Sequence, residues 1–409
     1  MKVLFVCHRA PYPPKRGGKI RPFNIIRHLT QQGHRVTVAS IARTQAEADE
    51  ASGLREHCEK TLIEVIPDRI AWPRMVAWLP TTRPSSFGYF YSRRLERSIA
   101  TELASGAYDL AFVHCSSVAP YVAPGQATLK VLDYGDMDSQ KWREYVDYKP
   151  FPLSTGYWLE ATKLEAAERR LAGHFDLCTC TTRAELESLR GLGVSTATDW
   201  FPNGVDSSTF TPAPDYDPNL VVFIGRMDYY PNQQAVTMFC RDILPVLQRQ
   251  RPQVHFRIVG AEPPPGIREL GRLPNVSVTG SVPDVRPHVT RAALTVAPLA
   301  IARGTQNKIL ESMAMGVPVV CSVEASKGVD AIAGEHLLSA ATVQEYVQAI
   351  GRILDSPELR AQLARAGRER VLTNHAWPNS MARLDAMLEA AYEQALRRRA
   401  APNTAHAVC

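Results

Sequence analysis

Between Ala302 and Val320 the chain reads ARGTQNKILESMAMGVPVV, a run whose residue types suit the grip of a diphosphate. A helix beginning just after Arg303, Gly304 and Thr305 presents backbone N–H groups and the positive end of its dipole to an anion. Lys308 falls on its first or second turn, where an ammonium reaches a phosphate, and Glu311 follows three residues on, on nearly the same face. A carboxylate there accepts two hydroxyl hydrogen bonds, as a ribose diol requires. A surface ion pair between the two is the plain alternative for this spacing. Together the elements suit a nucleotide diphosphate better than a dinucleotide.

Two further segments belong to the same chemistry. In FIGRMDYYPN, Gly225 ends a strand, so Arg226 emerges at the C-terminal edge of a sheet, where open α/β sheets bind ligands. Arginine there makes bidentate, charge-assisted contacts with a diphosphate, unless it is paired to a nearby acid such as Asp228. Val259-Gly260-Ala261-Glu262 is a second strand end whose glycine turn lets backbone groups border a base. Nothing in the sequence spaces His, Cys or carboxylates as a metal site, and no cofactor is expected beyond a nucleotide co-substrate.

These residues need parallel sheets to carry them, and the chain has the pattern. Its 409 residues exceed what one hydrophobic core usually fills, so two domains are expected, and the 45% apolar and 22% charged composition is that of a soluble globular protein. Short apolar runs alternate with helix-like stretches. Six runs from Lys2 to Cys180 predict a six-stranded first sheet, and the Pro- and Asp-rich segment Phe201–Asn219 reads as a linker. A second strand-helix series follows from Leu220, with a long helix predicted over Asn232–Gln248 and a last one over Trp377–Arg399. The expected division is 1–205, 206–375 and a tail from 376 to 409.

Other features bound the setting. Arg69 to Arg97 holds Trp72, Trp78, Phe87, Tyr89, Phe90 and Tyr91 among six arginines and reads as an irregular excursion, either an interfacial or acceptor surface or aromatics packed on the core. Residues 1–46 carry nine Lys or Arg, including Lys15, Arg16, Lys19 and Arg21, before the first acid, Glu47. Such a field attracts phosphates or an anionic membrane surface. Nucleic acid fits less well, because a strand and a helix consume the segment. The eight cysteines form no disulfide or zinc pattern, MKVLFVC reads as a strand and not a leader, and no apolar run approaches the ~18 residues of a membrane span, so a cytoplasmic place is expected.

The second domain resembles the donor half of glycosyltransferase family 4, retaining enzymes of GT-B fold. The resemblance rests on the Gly225-Arg226 pair after the first donor-domain strand, on Glu311 before GVPV, on the Gly17-Gly18 loop after the first strand, on His114 at a strand end and on FPNGVD at 201–206. It covers nearly the whole chain. It implies two Rossmann-like α/β domains whose parallel sheets face across a cleft, with the C-terminal helix returning to the first. It makes Arg226 a phosphate ligand and Glu311 the ribose ligand, brings Gly17 and Gly18 to the donor phosphate and sets His114 before the reacting sugar. Two positions depart from the pattern. Asp228, Tyr229 and Tyr230 fill the place of a family lysine, whose role Lys308 would take, and Arg303 stands where the first of two family glutamates would bind sugar hydroxyls.

The resemblance further implies a metal-independent hexosyltransferase with a nucleoside-diphosphate sugar as donor and a glycan or polyprenyl-linked acceptor. No protein nucleophile is expected, the leaving phosphate helping to deprotonate the acceptor. The spellings GRMDYYPN and RGTQNKILE are similar to a bacterial subgroup tied to exopolysaccharide loci and protein sorting. Asp133 and Asp136 fall on the expected acceptor side. Two alternatives stay open: a nucleotide-sugar epimerase or hydrolase of the same fold, and a non-catalytic nucleotide- or glycan-binding partner.

Overall fold

Continuous apolar runs become strands buried on both faces, the signature of parallel sheets covered by helices. In a computed structural model that describes residues 1–14 and 17–400, with side chains to 398, two such sheets form. The first comprises β1 (Lys2–Cys7), β2 (Arg35–Ala42), β3 (Lys60–Val65), β4 (Leu110–His114), β5 (Leu129–Gly135), β6 (Leu177–Cys180) and β7 (Ala197–Trp200), ordered β3-β2-β1-β4-β5-β6-β7. The second comprises β8 (Asp217–Ile224), β9 (His255–Val259), β10 (Val276–Val278), β11 (Ala292–Ala297), β12 (Val319–Ser322) and β13 (Leu338–Ala340), ordered β10-β9-β8-β11-β12-β13. All pairings in both are parallel. Each order reverses once, between β1 and β4 and between β8 and β11, so each sheet has a switch point at its carboxyl edge.

The chain divides into two compact units, Met1–Phe201 joined by the chain from Met381, and Pro202–Ser380. The last helix, Trp377–Ala400, thus begins in the second unit and returns to the first. There His28 Nε2 meets Asp385 at 2.9 Å, and the Arg383 guanidinium lies 4.2 Å from the centre of the Trp200 ring. In the second unit Gly204 lets Trp377 close on the backbone, since a Cβ at Gly204 would lie 2.5 Å from its ring.

Four sequence expectations change. The first sheet has seven strands, not six, because β7 is four residues long and only Trp200 in it is buried. The predicted helix Asn232–Gln248 is Tyr230–Met238 and Leu244–Gln250 joined by a π turn at Phe239–Ile243, where Pro245 cannot donate to the helical ladder. The stretch from Arg69 is helical at Asp68–Trp78, Ser85–Tyr89 and Arg93–Ala104. Phe87 is buried and Trp78, Tyr89, Phe90 and Tyr91 pack against the core, leaving Trp72 exposed.

The basic cluster is the fourth change. Lys15 and Arg16 lie outside the described residues, and Lys19 is buried and paired with Glu47 at 2.9 Å. Arg21 is 2% exposed on the helix Gly17–Gln31. Its Nε and Nη2 donate to the two oxygens of Asp133 at 2.8 and 2.9 Å, its Nη1 donates to the Phe201 carbonyl at 3.0 Å, and its plane covers the Phe201 ring at 3.6 Å. Asp133, wholly buried on β5, also accepts from Thr179 Oγ1 at 2.9 Å and from His114 Nδ1 at 2.7 Å. Burial alone would raise its pKa, but the Arg21 charge and these hydrogen bonds hold its carboxyl well below the usual carboxylate range.

Breaking one side of a buried pair strands the other charge. Arg21→Met is therefore expected to cost about 3–5 kcal/mol of stability, and adding Asp133→Leu to recover most of that loss, as read by urea unfolding of the two variants.

Candidate active site

Two strand ends in the second unit are closed together by backbone. The Gly225 amide donates to Val259 O at 3.1 Å and the Met227 amide to Ala261 O at 2.8 Å, carrying the β8–β9 pairing past the sheet. A Cβ on Gly260 would lie 1.7 Å from the Gly225 oxygen, so only glycine fits. A Cβ on Gly225 would lie 2.7 Å from Asn232 Nδ2 and 3.2 Å from Lys308 Nζ. Both glycines of the sequence reading thus bring polar groups onto the strand ends.

Asn232, buried at the start of Tyr230–Met238, ties these groups together. Its Nδ2 donates to the Arg226 carbonyl at 2.7 Å and its Oδ1 accepts from Lys308 Nζ at 2.5 Å. The ammonium also sits 4.5 Å from the centre of the Phe223 ring. Lys308 is the second residue of the helix Asn307–Ala314, and Glu311 follows one turn on. Burial pushes Lys308 down to about 7, with Glu311 opposing, and pushes Glu311 up to about 7, with Lys308 opposing. Two groups so tuned exchange protons near neutral pH, a common property of ligand-binding charges.

Arg226 lies beside this chain, but its guanidinium is engaged. It grips Asp228 through Nε at 3.0 Å and Nη2 at 2.8 Å, and Glu262 through Nη2 at 2.6 Å. The pairing with Asp228, the plain alternative in the sequence, is the one formed. Glu262 holds a left-handed backbone, φ 56°, uncommon for a residue with a side chain.

The loop before the helix supplies the remaining predicted donor residues. Gly304 has φ 63°, Thr305 Oγ1 is buried without a hydrogen-bond partner in the described residues, and the Arg303 carbonyl accepts from Gln306 Nε2 at 3.0 Å. The site therefore unites Gly225, Arg226, Gly260 and Lys308, with Arg303, Gly304, Thr305 and Glu311 on the adjoining loop and helix. Gly17, Gly18 and His114 are in the first unit. Gly17 and Gly18 open the helix Gly17–Gln31 instead of preceding it, and a Cβ at Gly18 would meet nothing within 4 Å among the described residues beyond its own helix.

His114 ends β4 and is almost buried. Asp133 is an ionised acceptor, so Nδ1 of the ring donates to it. Next to it Cys115 takes φ 86°, and burial pushes its thiol up to about 12. Asp133 is not an acceptor-side carboxylate as the sequence suggested, because the Arg21 pair consumes it. Asp136 remains half-buried, accepts from Thr181 Oγ1 at 2.8 Å and is raised by burial. Asn232 and Glu262 escaped the sequence reading: Asn232 looked like a helix opener after Pro231, and its partner Lys308 lies 76 residues away. Among the described residues no group of three or more His, Cys, Asp or Glu could hold a metal ion.

With two Rossmann-like sheets of this order, the architecture is GT-B. It is that of the sucrose-phosphate synthase of Thermosynechococcus elongatus, with a TM-score of 0.70, 19% identity, and coverage of 96% of this chain and 100% of that one. Anabaena HepE in complex with UDP matches with a TM-score of 0.69 and 15% identity over 95% of this chain and 100% of that one. The model of Glycosyltransferase Family 4 matches residues 16–209, and that of Glycosyl transferases group 1 matches 218–356. The chain belongs to glycosyltransferase family 4. A curated relative, the GDP-mannose-dependent alpha-(1-6)-phosphatidylinositol monomannoside mannosyltransferase of Mycolicibacterium smegmatis, is 26% identical over 56% of this chain, which spans 66% of that protein's length.

The closeness of the two strand ends makes a direct prediction. Gly260→Ala drives a methyl into backbone and should lose about 3 kcal/mol or more, whereas Gly266→Ala, with nothing within 4 Å, should stay within about 0.5 kcal/mol of the parent in thermal unfolding.

Proposed function

We propose that the chain transfers a hexose, with retention at the anomeric carbon, from a nucleoside-diphosphate sugar to a glycan or polyprenyl-linked acceptor in bacterial exopolysaccharide synthesis. The observation that carries the donor half is the linked chain Lys308–Asn232–Arg226 at the carboxyl edge of β8. A diphosphate set against it would take the Lys308 ammonium and the first amides of Asn307–Ala314, and would draw Arg226 from Asp228 and Glu262. These charges, fixed before the reaction, would stabilise the leaving diphosphate. Glu311 would accept from the ribose diol as a carboxylate. The leaving phosphate oxygen takes the acceptor proton, so no protein nucleophile or metal is assigned.

In the first unit, His114 is assigned to a sugar hydroxyl through Nε2, its orientation set by Asp133. Arg303, lacking a carboxylate's acceptors, would give the donor sugar a different set of partners from that of relatives with glutamate there. The donor class is supported by similar proteins: HepE binds UDP and, in another structure, UDP-glucose, and the mycobacterial relative depends on GDP-mannose. A non-catalytic nucleotide-binding role draws support from Arg226 being bound by acids. Turnover separates the two.

A cytoplasmic place, peripheral on the inner membrane face, is part of the same reading. No helix in the described residues is long and apolar enough to cross a membrane. Ile70, Trp72, Val76 and Leu79 stand exposed on and beside Asp68–Trp78, with Arg69 and Arg83 exposed nearby. Phe151, 82% exposed, Leu153 and Trp158 are also exposed at the helix Leu153–Ala172, whose Lys163 donates to the Leu79 carbonyl at 2.6 Å. Apolar side chains rimmed by cations suit an anionic bilayer surface.

Purified protein incubated with UDP-, GDP- and ADP-sugars and a membrane lipid extract should release nucleotide and label lipid from one donor. Glu311→Ala should reduce that turnover about 100-fold or more. Nucleotide binding without transfer across the panel would favour the non-catalytic reading. Because Lys308 loses its proton above about 7, nucleoside diphosphate affinity should fall as pH rises from 7 to 9 and binding should take up protons. Calorimetry in buffers of different ionisation enthalpy reads both effects, and Lys308→Arg should flatten the slope.

A further inference from the structure

At the carboxyl edge of the first sheet, where β1, β2 and β4 lie side by side, two buried nitrogen atoms have no hydrogen-bond partner among the described residues: His8 Nδ1 and Arg43 Nη2. His8 follows β1 and Arg43 follows β2, and both pack on Phe90. The His8 ring meets Phe90 edge-on at 5.2 Å, and the Arg43 guanidinium lies 4.9 Å from the centre of Phe90 and 3.7 Å from that of Tyr89. Arg43 Nη1 is fixed by the carbonyls of Ile66 and Tyr89 at 3.3 and 3.1 Å, which leaves Nη2 held in place without an acceptor. A buried polar atom left unsatisfied costs about 1–3 kcal/mol, so two such atoms on one aromatic ring require a cause.

The surroundings say which ligand would satisfy them. The His114 ring is 5.9 Å from His8. Burial first, then the charges of its cationic neighbours, Arg9 foremost, hold His8 well below the usual imidazole range. The acids nearby are engaged: Glu47 accepts from Lys19 and from the Arg43 amide, Asp68 accepts from the Tyr89 hydroxyl, and Asp138 faces Lys141 at 3.6 Å. A neutral hydroxyl would leave the charge of Arg43, whose side chain meets only carbonyls and rings among the described residues, unanswered. A phosphate oxygen accepts from a guanidinium and an imidazole together and neutralises it.

We propose that His8 and Arg43 bind a phosphate or diphosphate group on the acceptor. The inference rests on the transferase reading for the word acceptor, but the anion site stands on the first unit alone. It makes the acceptor a phosphorylated molecule, either a lipid-linked diphosphate or a soluble sugar phosphate.

Farnesyl diphosphate, glucose 1-phosphate and farnesol are titrated into the full chain saturated with UDP, which occupies the donor residues, while the histidine side-chain resonances are followed. One of the two phosphorylated probes should shift the His8 signals, and farnesol should not. The better one names the source. Arg43→Gln and His8→Gln should each weaken that binding about 10- to 100-fold while leaving UDP affinity within about twofold. His8→Gln, which removes no backbone contact, guards against misfolding of the arginine variant. Equal binding of farnesol, no response to either phosphorylated probe, or parent-like phosphate affinity in both variants would overturn the site. Absence of UDP binding with the phosphate response intact would overturn the donor reading and leave this site supported.

Discussion

The first unit is organised around one buried charge pair. Arg21 and Asp133 are both almost fully out of water, and each is completed by other partners: Phe201 by carbonyl and ring, Thr179 by hydroxyl, His114 by imidazole. Four elements converge there: the helix after β1, the ends of β4 and β5, and β6. A pair of this kind adds little net stability relative to apolar side chains of the same volume, and it is intolerant of losing either member. Its use here is directional. By accepting from Nδ1 of His114, Asp133 keeps a proton on that nitrogen and fixes the plane of the imidazole at the carboxyl edge of the sheet.

The second unit solves positioning differently, with backbone contact in place of charge. Gly225 and Gly260 let two strand ends approach until the oxygen of one occupies the space of the other's missing Cβ. Asn232 then converts that closeness into a link between Arg226 and Lys308. The amide of Asn232 donates and accepts at once, which neither an aspartate nor a leucine of similar size could do. Around it, Lys308 and Glu311 share a partly dehydrated setting that brings both to about 7.

Strands such as KVLFVC and LAFVH were legible because buried parallel strands are apolar throughout, and the glycines at 225 and 260 were legible because they terminate such runs. β7 and β13 were not, being four and three residues long with too little periodicity to register. The helix Asn307–Ala314 with Lys308 and Glu311 on one face could be placed from the sequence, since a three-residue spacing on a helix defines a face. Arg21 reads in the sequence as part of a basic field because its partner, Asp133, lies 112 residues away and itself reads as an acceptor-side carboxylate. Local composition records that a charge is present, and only the fold records what cancels it.

The division of the last helix has a consequence for the order of synthesis. The first unit includes the chain from Met381, where Asp385 meets His28 and Arg383 covers Trp200. On the ribosome, strands β1 to β7 emerge long before those partners exist, and the whole of Pro202–Ser380 must follow first. The second unit is contiguous in sequence and becomes available as one piece, so it is the part able to finish while the earlier one still waits for its closing helix. The N-terminal half of the polypeptide is thus the last to be completed, and its exposed surface during that interval is a natural client for chaperones.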